Sequence, residues 1–515
     1  MAYSQTHAAM ETFSLIRRRS AVVAAVLSVV PIIVGNRRGV GVSWDSTDYI
    51  AVGLSMAEGR GTLDVTGQPM VIRPPGLSAF VTLGDWLLVP PSAALTMVNA
   101  ASMMIVVWCT YHLLQRAGVR SFAKWISVGF VALSPALTDI FTMAWSEPPF
   151  LALTMLAFVI ATRDRTWPWE FALIGLFSAM FFVRYVGPFF AAPISLVAAI
   201  VQVRRSGWRL SLLRSGTTLC VSMVLPWLWL MRNKDLTGYL TGYREPGGGT
   251  LLDPLKTFTG TLGSWLIARP PLDGDGGIYV KWADFSVYMQ IAGVVVWSVI
   301  VGSCIFFVAS KHRQRDENVI FVASLAVFLF YGGFSMYRFV YNEMGPLDSR
   351  MMSGLYVPTI LVLAIGLSHI WSRDSNATQV IARGLATLAV LLLAWHGVTT
   401  AVESWRYGTQ GRRWSAVDHQ VAPIHLFARS LPSRAALFSN EPQSLYAATA
   451  KWPIRNQFQH EKPDLVPCEH RYFVWYSQTF LPDGKPVGAD IVFEDSWGQV
   501  LDLGSCDTDI SRFWP

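Results

Sequence analysis

The 515-residue chain is 52% hydrophobic and only 15% charged, with a positive mean hydropathy. That balance excludes disorder and an ordinary cytosolic enzyme, because apolar runs of about 17–25 residues, the length a bilayer core requires, recur along most of the chain. The formal net charge of +7 does not point to nucleic acid: most Lys and Arg fall in short connections between apolar runs, where they act as topology signals.

The first run, Ala21 to Gly35, follows Arg17-Arg18-Arg19 and reads as a span with the arginines inside, since no small-residue cleavage site leads into a mature start. Further spans are expected near 93–114, 123–141, 148–162, 169–183, 186–202, 215–231, 286–310, 318–337, 352–371 and 380–400, about eleven spans in all. Alternate connections should then be basic. They carry Arg116, Arg120 and Lys124; Arg163 and Arg165; Arg204, Arg205, Arg209 and Arg214; Lys311, Arg313 and Arg315; and Arg373 with Arg383. Arg37 and Arg38 fall on the other side, in a longer loop where the rule weakens.

An odd number of spans starting inside puts the rest outside: loop 36–92, the Ser146-Glu147 turn, loop 232–285, the "MGPLDSR" loop and the C-terminal segment. Ionisable groups gathered at one membrane face, away from lipid, indicate a site. The segment Gly76–Val89 is apolar but short and broken by Asp85, so it reads as an interfacial helix.

Within "SWDSTDYIAVGLSMAEGRG", Asp45 either caps a helix from Ser46 to about Glu58, with Asp48 in its first turn and Gly59 stopping it, or it is a surface carboxylate that deprotonates an acceptor hydroxyl. Arg73, before Pro74-Pro75, either begins a turn or clamps a phosphate. Ser146 is an expected N-cap before Pro148-Pro149, which accounts for Glu147 by helix initiation alone, although Glu147 falls on the same side as the other acids. Arg184 stands alone between two short apolar halves and calls for a phosphate or a carboxylate partner such as Asp45 or Asp48. Arg232 with Asn233, and Asp348 with Arg350, occupy two more outer loops, the latter pair equally readable as a salt bridge.

No metal motif of recognisable spacing occurs, and neither does a phosphate-binding Gly loop or a nucleophile elbow. "PGGGT", Pro246 to Thr250, reads as loop. Residues 401–515 read as a soluble α/β domain, with strands at Ala435–Phe438, Arg471–Tyr476, Ile491–Phe493 and Val500–Leu503 and a helix near Gln443–Ala450. Cys468 and Cys506 could pair there on an oxidising side.

The order Asp45-x-x-x-Tyr49, "GQPMVIRPPG", "WSE", the arginine between short helices, "W-x-x-x-RN", "LDSR" and "SNEP…LY" resembles the polyprenyl-phosphate-dependent glycosyltransferases of multi-spanning C-type (GT-C) architecture, the group containing protein O-mannosyltransferases and aminoarabinose transferases. The resemblance implies a catalytic domain over 1–400, with loop 36–92 carrying interfacial helices, and an extracytoplasmic domain over 401–515. It implies a plasma or inner membrane protein with a cytoplasmic N-terminus, a polyprenyl-phosphate sugar donor and a cell-envelope glycan, lipid or protein acceptor. The family's catalytic aspartate falls on Asp45 and its donor-phosphate cation on Arg73. Ser46 replaces the second acid of the common pair, which leaves open whether Asp48 shares the base role. Arg184 and Arg350 are further candidates for the phosphate, and Tyr49, Glu147, Arg232, Asn233 and Asp348 for the wider site. Some relatives use a divalent metal, which no ligand set here demands. The competing classes are a transporter or flippase of a charged lipid or solute, which would want ionisable groups deep in spans and a repeat between halves, and a glycan-binding scaffold.

Overall fold

The computed structural model describes residues 19–163, 166–243, 250, 252–268, 287–309, 315–341, 347–371, 376–456, 468–477, 485–507 and 513. Arg17, Arg18, Arg165, Lys311, Arg313, Arg373, Pro246–Gly249 and Met344–Pro346, all invoked above, lie outside the described residues. The chain divides into two compact units: Met1–Ile33, Val98–Phe141 and Ser146–Ser404 form a helical one, and Val34–Met97, Thr142–Trp145 and Trp405–Pro515 form a mixed one.

Each expected span overlaps helix among the described residues, although the runs 21–35, 123–141 and 215–231 are interrupted. Among the described residues four helices are long and apolar enough to cross a membrane: Pro91–Arg116, Val287–Ile305, Asp316–Tyr341 and Arg383–Gln410. Ser121–Ala132 and Pro135–Phe141, bent by 41°, make a fifth if taken together. Arg19–Gly35, Glu147–Ala161, Trp167–Val183, Gly187–Val203 and Ser353–Ser368 are shorter apolar helices. Gly207 breaks the helical stretch Gly187–Ser222 with φ +72, a left-handed conformation that glycine adopts without Cβ strain. The expected span at 215–231 is itself divided at Met223, between Gly187–Ser222 and Val224–Thr237.

Helices Leu252–Leu266 and Val287–Ala309 meet backbone to backbone. A Cβ on Gly263 would lie 1.9 Å from Met289 O, and one on Gly293 1.9 Å from Thr259 O, so only glycine allows this crossing. Small residues serve this purpose where lipid supplies no hydrophobic drive between helices. Gly293→Val is therefore expected to separate the pair and lower the melting temperature of the detergent-solubilised protein, whereas Gly302→Val, at a position with open space, should leave it near wild type.

The mixed unit holds a five-stranded sheet of order β2-β1-β3-β5-β4, with β1 (Ala435–Ser439), β2 (Ile454–Asn456), β3 (His470–Tyr476), β4 (Asp490–Glu494) and β5 (Gly498–Ser505). β1 pairs parallel with β2 and β3, and β5 antiparallel with β3 and β4. The parallel β1 is followed by helix Pro442–Thr449, as the sequence pattern led one to expect. Its core includes Leu437, Leu445, Tyr446, Ile454, Val474 and Val500, together with Ala51 and Val65 from the first loop. Trp452 Nε1 donates to Asp64 O at 2.8 Å and Ile454 N to Val65 O at 2.9 Å, so the first loop and the sheet segment fold as one body. Cys468 and Cys506 are disulfide-bonded, with Cα atoms 6.1 Å apart.

Candidate functional site

Two clusters of charge stand out, one in each unit. In the mixed unit, helix Trp44–Ala57 begins after Ser43, not Asp45. This corrects the capping reading: Ser43 holds the N-cap position without a side-chain cap bond, its hydroxyl accepting from Trp145 Nε1 at 2.7 Å, and the Asp45 carboxylate meets a guanidinium. Asp45 and Asp48, three residues apart, share one helix face. Arg73 spans them, Nη2 donating to Asp45 Oδ1 at 2.5 Å and Nη1 donating to Asp48 Oδ2.

Arg73 reaches that face because the following helix, Gly76–Trp86, packs tightly on the first. A Cβ on Gly53 would meet Val81 Cβ at 2.5 Å and Ser78 O at 2.7 Å, and Thr82 Oγ1 donates to Gly53 O at 2.8 Å. The Gly76–Trp86 helix matches the expected interfacial segment and leaves Phe80, Leu83, Trp86, Leu87 and Leu88 exposed. Between the helices Asp64 folds the connecting loop by accepting from Thr66 N, Thr66 Oγ1 and Gln68 N at 2.7–3.0 Å. Tyr49 is buried in the core that joins the helices, with Val40, Leu77, Val81, Leu95 and Ala144.

The two carboxylates differ in setting. The side chain of Asp45 is 25% exposed and that of Asp48 5%. Burial pushes Asp48 up to about 7, with the Asp64 and Asp45 charges adding to it and Arg73 opposing it. Arg73 is itself pushed up by the two carboxylates in spite of its burial, so the guanidinium stays charged and Asp48 is the member that takes a proton. Asp48 in the fold therefore binds a proton that it releases near pH 4 when unfolded. Its stabilising contribution is complete below that value and is lost as pH rises through 7. Asp48→Asn should flatten the fall in melting temperature between pH 5 and 8, which a thermal-shift series across that range measures.

The second cluster lies within the helical unit. Glu147 opens helix Glu147–Ala161 behind Ser146, with Pro148 and Pro149 in the first turn, so the helix start anticipated from "WSEPP" is present. Its side chain, 1% exposed, accepts at Oε1 from Arg350 Nε at 2.8 Å and from Arg184 Nη1. Arg184 Nη1 also reaches Ser146 Oγ at 3.3 Å. Arg184 is the C-cap of helix Trp167–Val183, with an extended backbone. The partner sought for Arg184 in Asp45 or Asp48 is thus found in Glu147.

Arg350 is delivered by a pinned loop. Thr261 Oγ1 donates to Leu347 O at 2.6 Å, Trp265 Nε1 to Ser349 Oγ at 3.2 Å and Tyr331 OH to Met351 O at 2.6 Å. Asp348 folds this loop by accepting Met351 N–H at 2.9 Å, while Arg350 Nε donates to Glu147 at 2.8 Å. Burial pushes Asp348 up to about 7, against the Met351 N–H and the Arg350 charge.

Arg232 and Asn233 form a separate knot on helix Val224–Thr237. Asn233 Nδ2 donates to Tyr185 OH at 3.0 Å and to Leu240 O at 3.1 Å, and its Oδ1 accepts from Arg232 Nη1 at 3.0 Å. Arg232 lies over the Trp229 ring, 4.4 Å from its centroid. Tyr185, Tyr331 and Asp64 were not singled out in the sequence, because a tyrosine in an apolar run and an aspartate in a turn carry no pattern of their own. Among the described residues no group of three His, Cys, Asp or Glu could hold a metal.

No protein-family model and no curated protein matches the chain at the sequence level. Solved structures do match it in fold. ArnT from Cupriavidus metallidurans in the apo state aligns at 13% identity and a TM-score of 0.57, covering 96% of this chain and 98% of that one. The same protein bound to undecaprenyl phosphate aligns at 14% and 0.57, covering 93% and 97%. The arabinofuranosyltransferase AftD from Mycobacteria aligns at 14% and 0.50 over 96% of this chain, which spans 40% of AftD's length. At such identities the likeness is one of fold: this chain shares the fold of these proteins along nearly its whole length, and its apolar helices make it a multi-pass membrane protein.

Proposed function

We propose that this chain is an inverting glycosyltransferase that moves a sugar from a polyprenyl-phosphate donor to a hydroxyl of a cell-envelope acceptor on the outer face of the membrane. The observation that carries the reading is the clamp in the first loop, where Arg73 is held by two carboxylates of unequal burial on one helix face. The likeness in fold to a protein solved with undecaprenyl phosphate supports the donor class. The basic residues of the alternate connections support a cytoplasmic N-terminus. The disulfide in the sheet segment supports an extracytoplasmic 401–515 domain.

In this mechanism Asp45 takes the proton of the acceptor hydroxyl as that oxygen attacks the anomeric carbon. The bond from that carbon to the phosphate oxygen breaks on the opposite side, which inverts the centre. The phosphate leaves as an anion, so no general acid is required. The guanidinium of Arg73 has five N–H donors in a planar fork, enough to hold a phosphate oxygen while keeping a carboxylate. Asp48 keeps Arg73 in place. Arg184 and Arg350 both reach the carboxylate of Glu147, and guanidinium groups are suited to a lipid phosphate.

Transfer from a panel of radiolabelled polyprenyl-phosphate sugars, in membranes containing the wild-type protein and a broad acceptor extract, tests the reading. Label should move from at least one donor to the extract with inverted anomeric configuration. Absence of transfer from every donor by folded protein would defeat the proposal.

A further inference from the structure

The first helix of the chain borders a groove that neither charge cluster uses. Arg19, Ser20, Val23, Ala24 and Leu27 recur at the spacing of one face of helix Arg19–Gly35. With Trp125 of helix Ser121–Ala132 they line an open groove of about 460 Å³. From Arg19 to Leu27 the face runs about 12 Å, at the helical rise of about 1.5 Å per residue.

This groove is polar at one end and apolar along the rest. Arg19 and Ser20 stand where the helix begins, and Arg19 is exposed. Val23 and Leu27 follow, 55% and 61% exposed. Trp125 is half-buried and set in the wall by Tyr111, with ring centroids 5.1 Å apart. The lining residues include one cation and no carboxylate. Lys124, beside Trp125, is turned elsewhere: it is 3% exposed, donates to Gln115 and lies over the Tyr111 ring.

The order of these groups selects the occupant. Arg19 ends the run Arg17-Arg18-Arg19 ahead of the first apolar stretch, so it stands at headgroup level on the side of the basic connections, where an arginine snorkels and a tryptophan sits at the interface. The apolar part of the groove then runs into the hydrocarbon, which holds no water to fill it. A molecule that matches both ends carries an anion joined to a long apolar chain. Basic pockets between spans on the cytoplasmic side bind such anionic headgroups.

We propose that this groove binds one anionic phospholipid from the leaflet on the side of the basic connections, its phosphate at Arg19 and an acyl chain along Val23, Leu27 and Trp125. The lipid seats the first helix, which buries little of its own: Val22, Val23, Val26, Leu27, Val30 and Ile33 are each more than half exposed. The site is separate from the proposed chemistry and stands whether or not the chain transfers a sugar.

The experiment titrates the full-length protein in detergent with dioleoyl phosphatidylglycerol, dioleoyl phosphatidylcholine or undecaprenyl phosphate and counts retained lipids by native mass spectrometry. Wild type should retain one phosphatidylglycerol about fivefold more tightly than phosphatidylcholine, the difference that one arginine near a membrane surface supplies. Arg19→Gln should abolish that preference. Val23→Trp, which fills the groove from an exposed position, should weaken both phospholipids. Arg209→Gln, at an exposed arginine beside Trp208 in another basic connection, should keep the preference. Equal retention of the two phospholipids by wild type would overturn the proposal, as would an equal effect of Arg19→Gln and Arg209→Gln. Unchanged retention by Val23→Trp would place the lipid outside the groove and overturn it too. Tighter, Val23→Trp-sensitive binding of undecaprenyl phosphate would overturn the choice of a phospholipid.

Discussion

Asp45→Asn is expected to lower sugar transfer by about 10²–10⁴-fold, the range that a positioned general base supplies, with little change in melting temperature. Asparagine preserves the shape and a contact to Arg73 but cannot accept the proton of the attacking hydroxyl. Asp45 is the more accessible of the pair, its side chain 25% exposed against 5% for Asp48, so a substrate hydroxyl can reach it, and a partly exposed ion pair contributes little to stability. Asp48→Asn should act differently. With Asp48 acting on Arg73, the loss should fall mainly on the donor KM, and the pH profile should lose an inflection near 7. Arg73→Lys keeps the charge but not the planar fork that spans both carboxylates, and should resemble Asp48→Asn. Steady-state rates for the three variants, with expression matched, separate these roles. Near wild-type transfer by Asp45→Asn would remove Asp45 from the chemistry and leave it as a partner of Arg73.

Glu147→Gln should produce the largest loss of stability among the site variants. Its carboxylate is 1% exposed and holds two guanidinium groups. Removing the charge leaves Arg184 and Arg350 to repel each other in a buried setting, and breaking a buried pair costs about 3–5 kcal/mol. The pinned loop carrying Arg350 should loosen with it, through Ser349 and Met351, whose bonds to Trp265 and Tyr331 fix the loop. The double variant Glu147→Gln/Arg350→Gln should recover part of the stability, because it removes one of the two cations that Glu147 holds. A double-mutant cycle in melting temperature measures the coupling. Additive effects of the two substitutions would mean that the ion pair seen at 2.8 Å carries no energy of its own.

The sequence by itself determined most of the elements, but not helix Leu252–Leu266, which falls within the expected loop 232–285, nor strand Ile454–Asn456. Apolar runs of membrane length mark helices without knowledge of their neighbours, because the bilayer imposes both length and composition. The strands at 435–439 and 470–476 and the helix after the first of them were equally legible, since alternation and turn residues are local signals. Two of the site pairings were half-visible: Asp45 and Asp48 share a helix face by spacing alone, and Glu147 was marked by its helix start. What only the tertiary structure decided is which charge meets which. Arg73 is 25 residues from Asp48 and Arg350 is 203 from Glu147, and no local pattern encodes such separations. Close approach of helices through Gly53 and a loop pinned at Leu347, Ser349 and Met351 bring these groups into contact. Local rules also offered Asp45 as a cap, a reading that gave way because Ser43 holds the N-cap position and the Asp45 carboxylate meets the guanidinium of Arg73.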